Sequence, residues 1–249
     1  SPSYEWVDVT APGTPLSTTD QLVAAPLSTT NYRVTATDNG CVSDTVITVT
    51  VRAQPVVAVA GPADSAICNT ETVTLTASGA GAYQWRNMTT ATDLGTATSI
   101  TVSPSSDTQY RLIGTAANGC TDTALYDLTV HPLPAVAVDD ANPVACSGKD
   151  LTVTASGGDA YRWVDVSDLA TDVATTPTLT VNRNVTAVEN TTYRVYVTNT
   201  TTGCVDSTDV NATFNPLPDV TVSGGLTVCT GDPGNFSVPT ATGAATYEW

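Results

Sequence analysis

Six cysteines, one histidine and 24 acidic side chains are the groups of this 249-residue chain whose types could do chemistry. They would serve a thiolate–imidazole zinc site, a nucleophile activated by histidine, or an oxygen-rich calcium site. Zinc sites draw their ligands from closely spaced Cys and His pairs. Here the cysteines stand singly and no Cys-x-x-Cys occurs. His131 is followed by Pro132 in the stretch "HPLP", so a Ser-His-Asp or Cys-His arrangement would have to be assembled around a joint between domains. Asp139, Asp140 and Asp150 lie beyond that joint, yet calcium takes about six to eight oxygens and no dense D-x-D-x-D-G run supplies them. The expectation is a chain with no catalytic residue, no metal site and no cofactor. Its cysteines read as disulfides formed in an oxidising, extracytoplasmic setting.

The elements that must position those cysteines recur. All four tryptophans, Trp6, Trp85, Trp163 and Trp249, fall in the word Tyr-x-Trp, whose tyrosines Tyr4, Tyr83, Tyr161 and Tyr247 are spaced by 79, 78 and 86 residues. A second word, Tyr-Arg-(Val/Leu) followed by Gly-Cys, appears at Tyr32 to Cys41, Tyr110 to Cys120 and Tyr193 to Cys204. A third precedes tryptophan: "ICNTETVTLTASG" from Ile67, "ACSGKDLTVTASGG" from Ala145 and "VCTGDPGNFSVPTATG" from Val228. A period of this size is one small domain. The partition expected is residues 1–54 as the C-terminal part of a repeat, 55–131 and 132–215 as whole repeats, and 216–249 as the N-terminal part of another. With a half-repeat at each end, the chain reads as a segment of something longer. "AQPV" at Ala53, "HPLP" at His131 and "NPLP" at Asn215 mark the joints, where proline makes a short, stiff, extended connection.

Within a repeat the hydrophobic period is two. "TVTLTAS" at Thr72, "LTVTAS" at Leu151, "SITVS" at Ser99 and "TVITVTV" at Thr45 alternate apolar residues with threonine or serine, as half-buried strands do. "DNG" at Asp38 and "NG" at Asn118 predict tight hairpins between the last two strands of a repeat. The fold class expected is all-β, tandem immunoglobulin-like antiparallel sandwiches in a rod. Tyrosine and tryptophan of Tyr-x-Trp are two apart, so they share a face, and that face should be the core; the four tryptophans are core anchors and not a sugar platform. Tyr32, Tyr110 and Tyr193 stand where a tyrosine corner could be built; the favoured expectation is that they lie in the core, with Arg33, Arg111 and Arg194 on the outer face.

On this frame Cys68 and Cys120, 52 apart, are the first and second cysteines of one repeat, and Cys146 and Cys204, 58 apart, those of the next. Pairing within each repeat is the expectation, and each bridge would then contribute roughly 3–4 kcal/mol by loop-closure entropy. Cys41 and Cys229 are left without a partner in the segment. Either their partners lie in flanking sequence, the favoured reading, or Cys229 of one chain bridges Cys41 of the next in a donor-strand arrangement. "YEWVDV" at Tyr4 matches "YRWVDV" at Tyr161, so the join would be natural.

The net charge of −16, with eight Lys and Arg, argues against a general nucleic-acid or anionic-membrane binder. No apolar run of about 20 residues predicts membrane insertion. The partners expected are neighbouring repeats or copies of the same protein. Surface glycans or host proteins would meet loops such as "TTATDLGTAT" from Thr89 and "SDLATDVATTPT" from Ser167.

The set Cys-x-G-x-x-(V/L)-T-(L/V)-T-A-S-G, Y-x-W, T-x-Y-x-V, N-G-C and N-P-L-P resembles the PKD-like and Ig-like tandem repeats of giant secreted surface proteins of Bacteroidota, gliding-motility adhesins among them. The W-x-F-G-D-G of the classical PKD module is absent after Trp85 and Trp163. The resemblance implies type IX secretion, a cell-surface or extracellular location, and a structural role in a surface fibre or filament of an adhesin or motility protein. The alternatives are a glycan- or protein-binding adhesin module and a non-catalytic spacer of a large secreted enzyme. It also implies O-glycosylation at Asp-(Ser/Thr) words, placing candidate acceptors at Thr45, Thr123 and Ser207, with Ser65 a further one.

Overall fold

The computed structural model describes residues 1–223 and 240–242, and among these there are strands and no helix. Packing divides the chain into two compact units, residues 1–130 and 131–249. Trp249 and Cys229 lie outside the described residues.

The first unit opens with β1 (Ser3–Asp8), β2 (Thr30–Asp38) and β3 (Cys41–Val49), an antiparallel sheet in that order. Eight more strands follow: β4 (Ala58–Ala60), β5 (Ala66–Cys68), β6 (Val73–Ser78), β7 (Ala82–Asn87), β8 (Thr92–Gly95), β9 (Ser99–Val102), β10 (Thr108–Thr115) and β11 (Thr121–His131). They form two sheets, β4-β6-β9 and β5-β11-β10-β7-β8. The sheets close over one core of Trp85, Leu75, Leu112, Leu128, Tyr110 and their neighbours. The alternation expected from sequence is there: β10 buries every second residue from Thr108 to Gly114.

The second unit repeats the plan with β12 (Ala137–Val138), β13 (Val144–Cys146), β14 (Asp150–Ser156), β15 (Ala160–Asp165), β16 (Asp168–Ala174), β17 (Thr178–Asn182), β18 (Glu189–Thr198) and β19 (Val205–Asn215). Its sheets are β12-β14-β17 and β13-β19-β18-β15-β16, around Trp163, Phe214, Leu179, Val153, Val195 and Val210. β20 (Thr221–Ser223) and β21 (Thr240–Thr242) pair antiparallel as a further two-stranded sheet.

The first strand of each sandwich is split between the two sheets, β4 then β5 and β12 then β13, and the second half runs parallel to the last strand, as at Val144↔Thr213. A three-on-five Greek-key sandwich with a divided first strand is an immunoglobulin-like fold. The divide in the first sandwich is a proline turn: the Pro62 carbonyl accepts the Ser65 N–H at 3.1 Å and the Tyr126 hydroxyl at 3.2 Å.

Two local expectations need correction. Asn39 (φ 50°) and Gly40 (φ 81°) do make a two-residue turn between Asp38 and Cys41. The Asn118-Gly119 hairpin is longer, closed by the Ala116 N–H to the Cys120 carbonyl at 2.9 Å and the Gly119 N–H to the Ala116 carbonyl at 2.9 Å. The stretches from Thr89 and from Ser167, read as loops, contain the edge strands β8 and β16. An edge strand exposed on both faces has no alternation to reveal it.

Candidate functional site

The tryptophans sit as core anchors where the sandwiches are whole. Trp85 and Trp163 have no accessible surface. Each indole N–H donates to a backbone carbonyl on the connection to the next sheet, Trp85 to Ala97 at 2.9 Å and Trp163 to Thr176 at 3.2 Å. Trp6 makes the same bond to Thr19 at 3.2 Å but is only half-buried. Tyr83 and Tyr161 lie on the same face, partly buried against the cores. Their hydroxyls donate back to the Ala80 and Gly158 carbonyls at 2.8 Å each.

The cysteines do not pair within repeats. Cys68 and Cys204 are each engaged in a disulfide, whereas Cys41, Cys120 and Cys146 are free thiols. The reason is the strand layout. Cys146 lies directly opposite Asn215, whereas Cys204 immediately precedes the other end of the same strand, eleven residues away. At about 3.3 Å per residue that is about 35 Å, and a disulfide holds its Cα atoms within about 7 Å. In the first sandwich Ser65 accepts the Thr129 N–H at 2.9 Å, so Cys68 sits near the end of β11 and Cys120 at its beginning. Each first cysteine is at one end of its sandwich and each second cysteine at the other. Alkylating the folded, unreduced protein should therefore label Cys41 and Cys146 quickly and half-buried Cys120 more slowly, leaving Cys68 and Cys204 for after reduction. Peptide mass mapping reads this out, and label on Cys68 before reduction would contradict it.

The hydroxyls read as glycan acceptors are not equivalent. Thr123 faces Ile113 and Ser207 faces Tyr196 across their hairpins, both on the outer surface. Thr45 faces Val34, which is also the partner of Trp6, so it stands on the inner face of its sheet. Cys41, Cys120 and Cys204 each lie opposite the residue six after the tyrosine of their hairpin. Thr45 comes four residues after its cysteine, whereas Thr123 and Ser207 come three after theirs, and one residue is enough to exchange the faces of a strand. Ser65 lies half-buried in the turn between β4 and β5 with φ 55°.

The acids considered for calcium are each engaged locally. Asp139 accepts the Thr154 N–H at 2.8 Å, Asp140 the Asn142 N–H at 2.9 Å, and Asp150 the Asn182 side-chain amide at 2.8 Å. Among the described residues no three His, Cys, Asp or Glu side chains gather as metal ligands. His131 closes β11, half-buried.

The arginines of the Tyr-Arg word do face outward. Arg194 grips Asp209 through two bonds of 2.6 and 2.9 Å, holding that carboxyl below the usual range. Arg111 lies between Arg86 and Leu125, and its Nε is buried without a hydrogen-bond partner. A polar cleft that sequence reading missed surrounds Arg183 in the second sandwich, lined by Asp165, Ser167, Glu189 and Thr192. The guanidinium meets Asp165 at 3.2 Å, the Tyr193 hydroxyl at 3.1 Å and, more closely still, Glu189. The Ser167 hydroxyl, then Arg183, keep the Asp165 carboxyl below its ordinary range, and burial pushes the Tyr193 phenol up. The arginine is already neutralised, so the cleft works as a clamp on the end of the core beside Phe214, 5.8 Å from the guanidinium. The hydroxyl of Tyr193 is occupied by this clamp.

One apolar face stays exposed among the described residues. In the sheet β1-β2-β3, Ile47 occupies the place of Val210 and Val49 that of Leu128. Ile47 is 53 % exposed and Val49 37 %, against 0 % and 1 % for their counterparts. The chain beyond this sheet is pinned to the first sandwich: Arg52 donates to the Asn118 carbonyl at 2.7 Å, Gln54 to that of Thr121 at 2.9 Å, and Asn118 to that of Ala53 at 2.9 Å. The joint read as stiff from its proline is held here by side-chain bonds to the hairpin.

No family model and no curated protein matches the chain. Among solved structures it is similar to the fibronectin(III)-like modules of CbhA from Clostridium thermocellum, at 10 % identity over 64 % of this chain and 95 % of that one, TM-score 0.33. It is similar also to the three N-terminal domains of the highly immunogenic outer capsid protein of bacteriophage RB49, at 13 % identity over 87 % and 88 % of the two chains, TM-score 0.39. A third is a Ca²⁺-stabilised adhesin with which an Antarctic bacterium binds ice, at 14 % identity over 79 % and 60 %, TM-score 0.33. The immunoglobulin-like assignment rests on the strand order itself.

Proposed function

We propose that this chain is a structural repeat segment of an extracellular bacterial surface fibre or filament, part of a giant adhesin or motility-type protein. The observation that carries the reading is where the repeated words are spent. Trp85 and Trp163, Tyr83 and Tyr161, and the glycines that follow β6 and β14 make the same contacts in both sandwiches, and all of them are packing contacts. A repeat selected for a reaction would repeat a reactive constellation; this one repeats a core. The bridged Cys68 and Cys204 support an oxidising location outside the cytoplasm. Export by a type IX pathway and glycans on Ser65, Thr123 and Ser207 belong to the same proposal, while Thr45, on the inner face beside Val34, is left out of it. The exposed Thr123 and Ser207 are its best-placed acceptors.

Antibody against the folded chain, applied to intact source cells, tests the reading. Label on external fibres, with Thr123 and Ser207 peptides carrying sugar mass, is the expected result. Label that appears only after the cells are broken would sink it.

A further inference from the structure

We propose that the outer face of the first sandwich holds a binding site for a sugar acid, whose carboxylate is taken by Arg111 with Arg86 beside it. Arg111 stands at the centre of that face. Its cross-strand neighbours are Leu125 on β11 and Arg86 on β7, and Asp93 on β8 lies beyond Arg86. Arg86 gives one bond to Asp93, at 2.9 Å. Arg111 makes no hydrogen bond, ion pair or ring contact among the described residues. Its Nε is sealed from water, while Nη1 and Nη2 remain accessible. A half-buried guanidinium with no acceptor, set directly opposite a second guanidinium, is a costly arrangement. The other arginines avoid it: Arg52 meets a carbonyl, Arg86, Arg162, Arg183 and Arg194 meet carboxylates, and Arg33 is exposed.

The second sandwich shows which group such an arginine meets. There Arg194 faces Asp209 in the ladder and holds its carboxylate through Nε and Nη2, at 2.6 and 2.9 Å. Arg111 and Arg194 are the same residue of the Tyr-Arg word, and Leu125 stands where Asp209 does. The other neighbour differs as well: buried Val164 faces Arg194, where Arg86 faces Arg111. One sandwich closes its own arginine; the other doubles the positive charge and supplies Arg111 with no carboxylate. Asp127, two residues along β11 from Leu125, takes the Gln109 side-chain amide at 2.8 Å instead.

The class of ligand follows from charge and from the rest of the face. The chain carries −16 overall, so a polyanion or a second copy is repelled at long range, and a single carboxylate on an uncharged body is favoured. Two residues along β10 and β11 from the arginine row, Ile113 and Thr123 face each other, with Gln84 beyond Ile113. Leu125 is 57 % exposed. Aliphatic surface flanked by a hydroxyl and a primary amide suits a pyranose, its C–H face on Leu125 and Ile113 and its hydroxyls on Thr123 and Gln84. This site goes beyond the fibre reading and does not depend on it.

The test is NMR titration of the full chain, made in a host that adds no sugar to Thr123, with methyl β-glucuronide and methyl β-glucoside. These differ only in a carboxylate for a hydroxymethyl group. The expected result is saturable shifts in the amides of residues 84–86, 111–113 and 123–125 with the glucuronide, and none with the glucoside over the same range. A glucuronate-bearing neutral oligosaccharide that binds more tightly than the methyl glycoside supports the site with a glycan chain as its source; equal affinities support it with a free sugar acid. Arg111→Gln should weaken binding by about tenfold or more, the loss expected for a charged hydrogen-bonding pair. Leu125→Asp should abolish binding by giving Arg111 the internal partner that Arg194 has, and unchanged hydrogen exchange in β10 shows that the sandwich stays folded. Glucuronide binding that survives in Leu125→Asp overturns the proposal, as does a wild-type chain that binds neither sugar. Acetate that binds as tightly as the glucuronide means an adventitious anion only and overturns the sugar assignment. Tighter binding of an uncharged peptide through its C-terminal carboxylate overturns it too.

Discussion

Replacing Trp163 by alanine should cost the second sandwich about 3–5 kcal/mol, the range for truncating a buried aromatic. The side chain has no accessible surface and lies among Leu179, Val195 and Phe214. Its indole N–H also satisfies the Thr176 carbonyl, which would lose its partner. A small domain has about 5–15 kcal/mol in all, so the variant should be close to unfolding at ordinary temperature. Hydrogen exchange in β15 and β18 measures this directly, because those amides open only with the core. Trp85→Ala should do the same to the first sandwich. In the monomer Trp6→Ala should cost far less, about 1 kcal/mol, because its ring is half in water already and less apolar surface is lost. A Trp6→Ala cost equal to that of Trp163→Ala would mean that the β1-β2-β3 face is covered in the monomer.

The same contrast shows what could be read from sequence. Strand period, the buried Tyr-x-Trp face and the outward arginines follow from alternation alone, since side chains two apart must share a face. The cysteine pairing does not follow, because residue spacing carries no information about which end of a sandwich a residue occupies. Cys146 and Cys204 belong to one repeat and yet flank the two ends of the strand β19. Thr45 and Thr123 stand in the same Asp-Thr word after a cysteine, but one extra residue between Cys41 and Asp44, which a word-by-word alignment absorbs as a gap, the strand converts into a change of face. Arg183 gave no signal because its partners, Asp165, Glu189 and Tyr193, come from separate stretches of chain. The one clue was length: the second repeat carries "NRNVTAVEN" where the first has the shorter "SPSSD".

Gly79→Ala and Gly157→Ala should be among the most damaging small substitutions, at about 3 kcal/mol or more. Both glycines end the "TASG" word, and neither position is in a functional loop. Gly79 has φ +93° and Gly157 φ +115°, a region that side-chain-bearing residues rarely enter. The second cause is space. A Cβ on Gly79 would stand 1.8 Å from the Val56 carbonyl oxygen, and one on Gly157 2.3 Å from that of Ala135. Those carbonyls belong to the chain arriving from the proline joints, which must pass this close to bring Val57 and Val136 onto their cores. Gly119 and Gly203 provide the control, with φ +85° and +76° but nothing within 4 Å of an added Cβ. Alanine there should cost about 1–2 kcal/mol, the backbone strain alone. The difference between the two pairs, read from denaturant midpoints, isolates the close passage from the torsion. If the pairs prove equal, the arriving strand can move aside, and the glycine of the repeated word is there for its torsion only. If they differ as expected, the word ends in glycine because the joint is laid against it, which ties the stiffness of the connection to the packing of the domain it enters.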